Sequence, residues 1–462
     1  MKPPPLPPSR KRRIVRRTIW GLFALVVVLR YGVFRGYYEA YDREKRLEAR
    51  LAREPRMPAD PRQPRGPGGP PGGRRERTPL VVRPAVSEVP PDFPRLRIRI
   101  ADADVGVLRA YRWNGWGGQS MERPSVAATV DDGHTVYSNV WLHPKGSAGS
   151  FRRFDEKPAL TLDFSKAMPR REFAGFRKIS LNNSAQDPSY ASEIIARELF
   201  AAAGIPVPGA SHATAIVNGR DLGLFVMTDG WGKPFLRRHF TDVGGNLYDG
   251  GFCRDIDDGI EVNSGDDPDD HSDLEGLLAA AAAEPAGRME RMGRVLDVDR
   301  FVRMAALETL VCHWDGYTMN RNNYRVFHDR AAGRMVFMPH GMDQMFGIQR
   351  STPSAPIVPH WRGLVARAVL TLPEGRRRYL GELATLHTNL VLPDTLTRRV
   401  AELTARLRPT LAAYGPDFVE RQEAAARRLS QRIVARARSV DDQLAGRPAA
   451  PSPPAPSEGP GR

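Results

Sequence analysis

The strongest constraint on the fold is a change of hydrophobic period near the middle of the chain. Up to about residue 230, apolar and polar residues alternate in short runs, which is the period of β-strands. After about residue 270, apolar residues recur at three- and four-residue spacing, which is the period of amphipathic helices. We therefore predict an α+β chain with a β-rich first part and a mainly helical second part.

The β-rich part contains one predicted helix among its strands. Leu96–Ile100 alternates like an edge strand, and Asn218-Gly219 is a strong hairpin turn signal. A helix is expected after Asp187 and should end at Gly204. The other predicted strands are 135–142, which follows a turn at Asp131–Gly133, then 157–164, 176–181, 212–217 and 222–227.

The basic charge of the chain is concentrated at its N-terminus. Of the net charge of +16, residues 1–95 supply +13, from 22 Lys+Arg and 9 Asp+Glu. The rest of the chain is nearly neutral. A nucleic-acid-binding domain needs a basic face of its own. We therefore expect no nucleic-acid partner.

An apolar run from Thr18 to Phe34 follows a basic, Pro-rich start. Its length is near the lower limit for a membrane-spanning helix, and the basic residues before it favour a cytoplasmic N-terminus. We predict a cytoplasmic tail over 1–17 and a single-pass signal anchor over 18–38. The protein would be attached to a membrane with its body outside the cytoplasm. A cleaved signal peptide and a cytosolic protein with a wrongly assigned start are the alternatives.

Composition also divides the remainder of the chain. Residues 39–95 are charged and then rich in Pro, Gly and Arg, so they bury too little apolar surface to fold and form a linker. The folded body is expected over 96–445, with a small lobe over about 96–230 and a large lobe over about 231–445. A Pro-rich disordered tail, 446–462, ends the chain.

Two features that could bind metal give weak signals. Cys253 and Cys312 lie far apart and form no CxxC motif, which argues against a zinc cluster and favours two buried free thiols over a disulfide. The acidic stretch 255–275 does not match the EF-hand template. We expect it to be a solvated loop rather than a Ca²⁺ site.

The pattern with the clearest chemistry lies in the helical part. Asp315 is followed five residues later by Asn320, and Asp343 follows a strand-like run, 335–338. Phosphoryl transfer from a nucleotide needs one carboxylate to orient the attacking hydroxyl. It also needs an Asn and a second carboxylate to bind Mg²⁺ on the phosphates. Protein kinases have the same Asp-x-x-x-x-Asn spacing, but this chain has neither His-Arg-Asp nor Asp-Phe-Gly, so a kinase here would be atypical.

A set of short motifs runs in order across roughly residues 97–350. The motifs are Lys145-Gly146-Ser147-x-Gly149-Ser150-Phe151, Lys157-Pro158-x-Leu160-x-Leu162-x-Phe164, Leu181-Asn182-Asn183-Ser184-x-Gln186-Asp187-Pro188-Ser189, Glu198-Leu199-Phe200, Ala203-Gly204-Ile205-Pro206-Val207-Pro208, Asn218-Gly219-Arg220-Asp221-Leu222-Gly223-Leu224, Gly245-Asn246-Leu247-Tyr248, Trp314-Asp315 and Pro339-x-x-Met342-Asp343. Each motif is weak alone. The ordered set resembles the CotH kinase family, the atypical kinases first associated with spore coat proteins.

The resemblance implies a kinase-like fold with a β-rich small lobe followed by a mainly helical large lobe. It implies ATP with Mg²⁺ or Mn²⁺, and phosphoryl transfer to Ser or Thr hydroxyls of a protein that the sequence does not identify. By the same resemblance, Asp315 is the catalytic-loop carboxylate, and Asn320 and Asp343 are metal ligands. Many family members have Pro-Trp-Asp-Leu-Asp where this chain has Pro339-His340-Gly341-Met342-Asp343, so one carboxylate is missing.

The residues that contact the nucleotide stay open at this stage. The resemblance points to Lys157, whereas strand order points to Lys178 on the third strand. The small-residue loop 145–150, which contains Gly146, could place backbone N–H groups over phosphates. It could also be an ordinary hairpin turn.

Neighbouring residues compete for some of these roles. Asn322 and Asn323 are rivals of Asn320 as metal ligands, and all three could be turn residues. Glu193 or Glu198 on the predicted helix could pair with the nucleotide lysine, and spacing does not choose between them.

Two other functions are compatible with the same residues. The chain could be a catalytically silent surface or binding module with the CotH fold, which the missing carboxylate favours slightly. It could also be a hydrolase that uses Asp315 and Asp343 as a carboxylate pair, for which the sequence gives the weakest support.

Overall fold

The computed structural model describes residues 93–113 and 123–447, and the first part of this region forms a closed seven-stranded barrel. The strands are β1 (Arg95–Ile100), β2 (Val126–Asp131), β3 (Val136–Lys145), β4 (Ala159–Asp163), β5 (Lys178–Asn182), β6 (Ala210–Val217) and β7 (Arg220–Asp229). Around the barrel they follow the order β1-β2-β3-β4-β5-β7-β6.

Strand β1 lies within the barrel wall rather than at an edge. It pairs antiparallel with β2, with Ile98 opposite Val130, and parallel with β6, with Ile98 opposite Val217. Leu96, Ile98 and Ile100 are buried, and the arginines between them are exposed. The alternation arises because one face of a barrel wall meets the core and the other meets solvent. The prediction of an edge strand is therefore wrong.

The other predicted strands are confirmed with shifted ends, but two elements of the barrel region were missed. The Asp131–Gly133 turn joins the missed strand β2 to β3, and Gly133 N–H donates to Asp131 Oδ1 at 2.8 Å. The missed helix is α1 (Asp102–Ala110), in which only Val105 and Leu108 are buried. Its sequence carries little helical signal because it has a central glycine and few apolar residues.

The predicted helix of the first part is α2 (Ser192–Ala202), which is enclosed by protein. Asp187 Oδ2 accepts a hydrogen bond from Ser192 N–H at 2.9 Å and so satisfies a free donor at the helix start. Gly204, at φ +73°, follows the helix and ends it as predicted. Nine of the eleven residues of α2 are buried, including its charged ones.

The second part of the described chain combines helices with a small sheet. The helices are α3 (Lys233–Leu236), α4 (Ser272–Ala282), α5 (Arg288–Val295), α6 (Val298–Leu310), α7 (Tyr317–Asn320), α8 (Leu364–Leu370), α9 (Pro373–Asn389), α10 (Pro393–Ala412) and α11 (Pro416–Leu444). The strands are β8 (Leu247–Asp249), β9 (Glu261–Ser264), β10 (Tyr324–Asp329) and β11 (Arg334–Pro339). This sheet has the order β11-β10-β8-β9.

Helix α6 is the central element of the second part. The side chain of Asp297 caps it by accepting from Arg300 N–H at 3.1 Å, and ten of its thirteen residues are buried. It packs against α9 and β11. The loops that leave α6 and β11 meet, because Phe346 N–H donates to Val311 O at 2.6 Å. This contact brings together the two sequence motifs that carry the predicted chemistry.

The α+β class is confirmed, whereas the division into two lobes near residue 230 stays a prediction. The predicted cytoplasmic tail and signal anchor lie outside the described residues, and so do nearly all of the linker and all but the first two residues of the C-terminal tail. Within 93–113 and 123–447, no helix has both the length and the apolar character needed to cross a membrane.

The two cysteines are free thiols, as predicted. Cys312 is buried, but Cys253 is partly exposed, so the prediction of burial holds for only one of them.

Candidate active site

One face of the barrel wall is polar and points away from the barrel interior. Along it, His143 on β3 lies opposite Thr161 on β4, Thr161 opposite Ser180 on β5, and Ser180 opposite Thr228 on β7. The residues between them along the strands are mainly apolar and fill the barrel. A polar, partly buried surface of this kind needs polar partners or a ligand.

Lys145 ends β3 at one end of this polar face. Its Nζ donates to Asn182 Oδ1 at 2.7 Å, and Asn182 Nδ2 donates to Glu193 Oε2 on α2 at 2.6 Å. Burial lowers the pKa of Lys145 to about 8, while the charge of Glu193 acts in the opposite direction. Protein kinases position a phosphate-binding lysine by pairing it with a helix glutamate. Here Asn182 bridges the two.

A second basic residue fixes Glu193. Arg197 donates to Glu193 Oε1 from Nη2 at 2.8 Å and from Nε at 3.2 Å, and its Nη1 donates to Pro208 O at 2.7 Å. Burial acts to raise the pKa of Glu193, but the charges of Arg197 and Lys145 outweigh it and lower the pKa. Glu193 is therefore a buried, ionised carboxylate held in one position.

Asp343 lies in the loop after β11, within electrostatic range of this group. Burial raises its pKa to about 8, the charges of Glu193 and Asp187 raise it further, and Lys145 acts to lower it. After burial, Glu193 and Asp187 are thus the main causes that disfavour the ionised form of Asp343. A bound cation would oppose these causes and favour the ionised form.

Asp315 lies between α6 and α7, and three asparagines donate to its carboxylate. Its Oδ1 accepts from Asn320 Nδ2 at 2.5 Å, and its Oδ2 accepts from Asn322 Nδ2 at 3.1 Å and Asn323 Nδ2 at 2.9 Å. These hydrogen bonds hold the carboxylate in place, and their donors carry no charge. All three rival asparagines therefore belong to the same cluster.

The amide oxygens distinguish the three asparagines. Asn322 Oδ1 accepts from Cys253 N–H at 3.2 Å. Asn323 Oδ1 lies against Gly341, where an added Cβ would stand only 2.5 Å away. Among the described residues, no hydrogen-bond donor engages Asn320 Oδ1. This geometry favours Asn320 over its rivals as an oxygen ligand.

Glu308 of α6 holds α7 and the Asp315 loop in place. Its carboxylate accepts from Tyr317 N–H at 3.2 Å, and from Thr318 N–H at 3.1 Å and Thr318 Oγ1 at 2.5 Å. A Cβ at Gly316 would stand 2.6 Å from Glu308 Oε1, so glycine allows this close approach. Burial raises the pKa of Glu308 to about 7, despite these bonds.

Hydrogen bonds join the Asp315 loop to the Asp343 loop. His313 Nε2 donates to His340 O at 3.0 Å, and His340 N–H donates to Asn323 O at 2.8 Å. The Asp343 loop is in turn attached to α2, because Met345 N–H donates to Ser192 Oγ at 3.3 Å. The catalytic-loop and metal-ligand candidates therefore belong to one bonded set of segments.

The two predicted nucleotide lysines lie apart from this set. Lys157 Nζ donates to Leu224 O at 2.5 Å and Tyr190 OH at 3.0 Å, and burial lowers its pKa to about 8. Lys178 shares the polar face with Asn182, but at the other end of β5, about 13 Å away. It pairs with Asp163 at 3.1 Å.

A cavity of about 210 Å³ adjoins Lys178 where β7 leads into α3. Its walls include Gly230, Trp231 and Asn263. The polar face therefore runs from this cavity at one end to Lys145 at the other.

The loop that contains Gly146 forms a tight turn. Gly146 has φ +100°, and its carbonyl accepts from Arg123 Nη2 at 3.0 Å. The N–H groups of Ser150 and Phe151 both donate to Ser147 O, at 3.2 and 2.8 Å. The amides of Ser147 and Ser150 are thus used within the loop, since Ser147 N–H donates to Ser150 Oγ at 3.2 Å, and the role of the loop in binding phosphates stays a prediction.

Sequence reasoning missed Lys145 and Asn182. Both belong to the quoted motifs, Lys145 as the first residue of one and Asn182 as the second residue of another. The two-residue period of β3 and β5 places each on the polar face. Only the pairing of strands brings them together, which no short motif reveals.

Comparisons with known proteins follow this geometry. A family model described as CotH kinase protein matches residues 142–438. The inner spore coat protein H of Bacillus subtilis (strain 168) is 21% identical over 300 residues, covering 59% of this chain and 80% of that protein. The crystal structure of the Helicobacter pylori proinflammatory kinase CtkA matches at 10% identity with a TM-score of 0.29, over 76% of this chain and all of that one.

Proposed function

The chain belongs to the CotH kinase protein family, and from this premise we propose that it transfers the γ-phosphate of ATP to Ser or Thr hydroxyls of a protein. The observation that carries the proposal is the chain of hydrogen bonds from Lys145 through Asn182 to Glu193, with Asp343 beside it. A lysine, a helix glutamate and a loop aspartate in this arrangement suit the phosphates of a nucleotide.

Each group has a distinct role in the proposed reaction. The ammonium of Lys145 binds a phosphate oxygen, and Glu193 acts through Asn182 to hold that ammonium in position. Asp315 accepts a hydrogen bond from the acceptor hydroxyl and orients it toward the phosphate. Because Asn320, Asn322 and Asn323 already fix the carboxylate, little reorganisation is needed when the hydroxyl arrives.

The residues present fit a divalent cation. Burial and the nearby carboxyl groups of Glu193 and Asp187 raise the pKa of Asp343, and Asn320 has an amide oxygen without a donor among the described residues. Oxygen ligands of these types suit Mg²⁺ or Mn²⁺. When bound, the cation would neutralise phosphate charge, and phosphate oxygens would complete its coordination.

Within 93–113 and 123–447, no group of three or more His, Cys, Asp or Glu side chains could hold a metal ion.

Transfer of label from γ-labelled ATP tests the proposal. The full chain would be incubated with Mg²⁺ or Mn²⁺ and a Ser-rich acceptor protein, beside Asp315→Asn, Lys145→Ala and the exposed control Lys166→Ala. We expect transfer by the wild type and the control, and a loss of at least about 100-fold in the other two variants. No transfer, with no rise in melting temperature on adding nucleotide, would instead favour the catalytically silent module.

We also propose that the protein is attached to a membrane through residues 18–38. The supporting feature is the apolar run after a basic start. Fractionation of cells that express the chain with and without residues 1–38 tests this. Recovery of both forms in the soluble fraction would refute the anchor, and added protease would report the side on which the body lies.

A further inference from the structure

Three arginines lie near the loop that carries the proposed catalytic carboxylate. Arg321 directly follows α7, and the Cζ of Arg350 lies 5.5 Å from the ring centre of Trp314. Arg362 adjoins the same helix through its backbone, because its backbone N–H donates to Thr318 O at 2.8 Å. Two other segments of the chain therefore each bring an arginine next to α7 or the Asp315 loop.

Arg321 lies next to a hydrogen-bond partner of the carboxylate. Asn320, the last residue of α7, donates to Asp315 Oδ1 at 2.5 Å, and Arg321 is the residue that follows it.

Salt bridges distinguish these three arginines from others in the protein. In the described part of the chain, Arg321, Arg350 and Arg362 form no ion pair, whereas Arg303 and Arg399 each pair with a glutamate. Arg350 and Arg362 are exposed, and Arg321 is partly buried. The Nε of Arg321 is buried without a hydrogen-bond partner among described residues. A guanidinium group that forms no ion pair with the protein can still bind an anion.

We propose that this arginine group binds acidic segments of polypeptide, so that the preferred acceptor hydroxyl is flanked by Asp or Glu. The proposal rests on the kinase function proposed above and names its substrate class. Guanidinium groups bind carboxylates by paired hydrogen bonds. Their field also attracts an acidic segment and repels a basic one. The preference for acidic peptides would come from this group of arginines rather than from the overall charge, since the chain after residue 95 is nearly neutral.

Matched peptides test the proposal on the full chain. Three labelled peptides would carry one central Ser flanked by Glu, Gln or Lys. Their binding would be measured by fluorescence anisotropy without ATP, and their phosphorylation as kcat/KM with ATP and Mg²⁺. The test variant is Arg350→Glu/Arg362→Glu. The control is Arg99→Glu/Arg421→Glu, which changes two exposed arginines on β1 and α11 and has the same net charge.

For the wild type and the control we expect the Glu peptide to bind at least tenfold more tightly than the Lys peptide, and to react with at least tenfold higher kcat/KM. Added salt should reduce the binding difference. The test variant should lose the preference or reverse it. An unchanged melting temperature of the test variant would show that reversing the charge at these two positions leaves the fold intact.

The outcomes separate this inference from the proposed kinase function. Arginine-dependent binding of the Glu peptide without any transfer would refute the kinase and leave the acidic-segment surface standing. Transfer with equal kcat/KM for all three peptides would overturn the inference and leave the kinase standing. Equal loss in the test and control variants would also overturn it, and so would binding of an oligonucleotide in preference to every peptide.

Discussion

At the scale of single residues, two buried carboxyl groups lead to separate predictions. Glu308 and Asp229 are both buried, and burial raises the pKa of each to about 7. Enclosing a charged carboxyl group is costly unless hydrogen bonds offset the cost.

Glu308→Gln should disturb the Asp315 loop. The amide nitrogen of Gln would face an N–H donor of Tyr317 or Thr318 in place of an accepting oxygen, at a cost of about 1–3 kcal/mol. We expect a lower melting temperature and roughly a tenfold loss in kcat, with less effect on KM for ATP. The surface substitution Glu290→Gln, in an exposed pair with Arg294, is the matched control. Unchanged kcat in Glu308→Gln would show that Glu308 does not position the loop.

Asp229→Asn should make the protein more stable at neutral and higher pH. Burial raises the pKa of Asp229 to about 7, above its unfolded value near 3.9. Its contribution to stability is therefore fully present below about pH 4 and is lost as the pH rises to about 7. Asn avoids this loss, so we expect a gain of about 1–3 kcal/mol at pH 8 that shrinks toward pH 5.

Urea unfolding between pH 5 and 8 measures the effect of Asp229→Asn. Asp267→Asn, at an exposed carboxylate, serves as control. A gain that does not depend on pH would contradict the explanation.

At the scale of elements, the C-terminal hairpin of α10 and α11 supports both sides of the candidate site. Arg399 on α10 pairs with Glu198 on α2 at 2.7 Å, which fixes the helix that carries Glu193. Buried Arg436 on α11 donates to Thr309 O at 2.8 Å, at the end of α6 that leads into the Asp315 loop. Two helices far along the sequence thus hold the positions of the proposed catalytic groups.

Arg399→Met should weaken this support. It leaves the largely buried Glu198 without its partner, which we expect to cost about 1–3 kcal/mol of stability. Label transfer should fall several-fold more than in Arg398→Met, the adjacent exposed arginine. A double-mutant cycle with Glu198→Gln measures the coupling, and strictly additive effects would show that the bridge does not act as a pair.

At the scale of the whole molecule, sequence patterns predicted the class of fold but not how the strands close. Alternation identified Leu96–Ile100 as a strand, and only the parallel partner β6 makes it an interior one. Gly204 marked the end of α2 because its conformation is a local property. Lys145 could not be assigned in this way, since its role depends on a residue 37 positions away, Asn182 on β5.

Among the motif residues too, the sequence predicted some contacts and could not predict others. Asp315 and Asn320, five residues apart, do lie in contact, because Asn320 at the end of α7 donates to the Asp315 carboxylate. Spacing alone could not show that Asn322 and Asn323 also bind Asp315. The roles of Lys157, Lys178 and Gly146 stay predictions, and the geometry favours Lys145 over either lysine.

Binding of ATP with Mg²⁺ to lysine variants of the full chain, measured by isothermal titration calorimetry, tests the central claim most directly. We predict that Lys145→Ala weakens ATP binding at least tenfold, whereas Lys166→Ala leaves it unchanged and Lys178→Ala has a smaller effect than Lys145→Ala. Asn182→Ala should weaken ATP binding in the same direction as Lys145→Ala. Unchanged affinity in Lys145→Ala, with a large loss in Lys178→Ala, would contradict the placement of the phosphates beside Lys145 and Asp343.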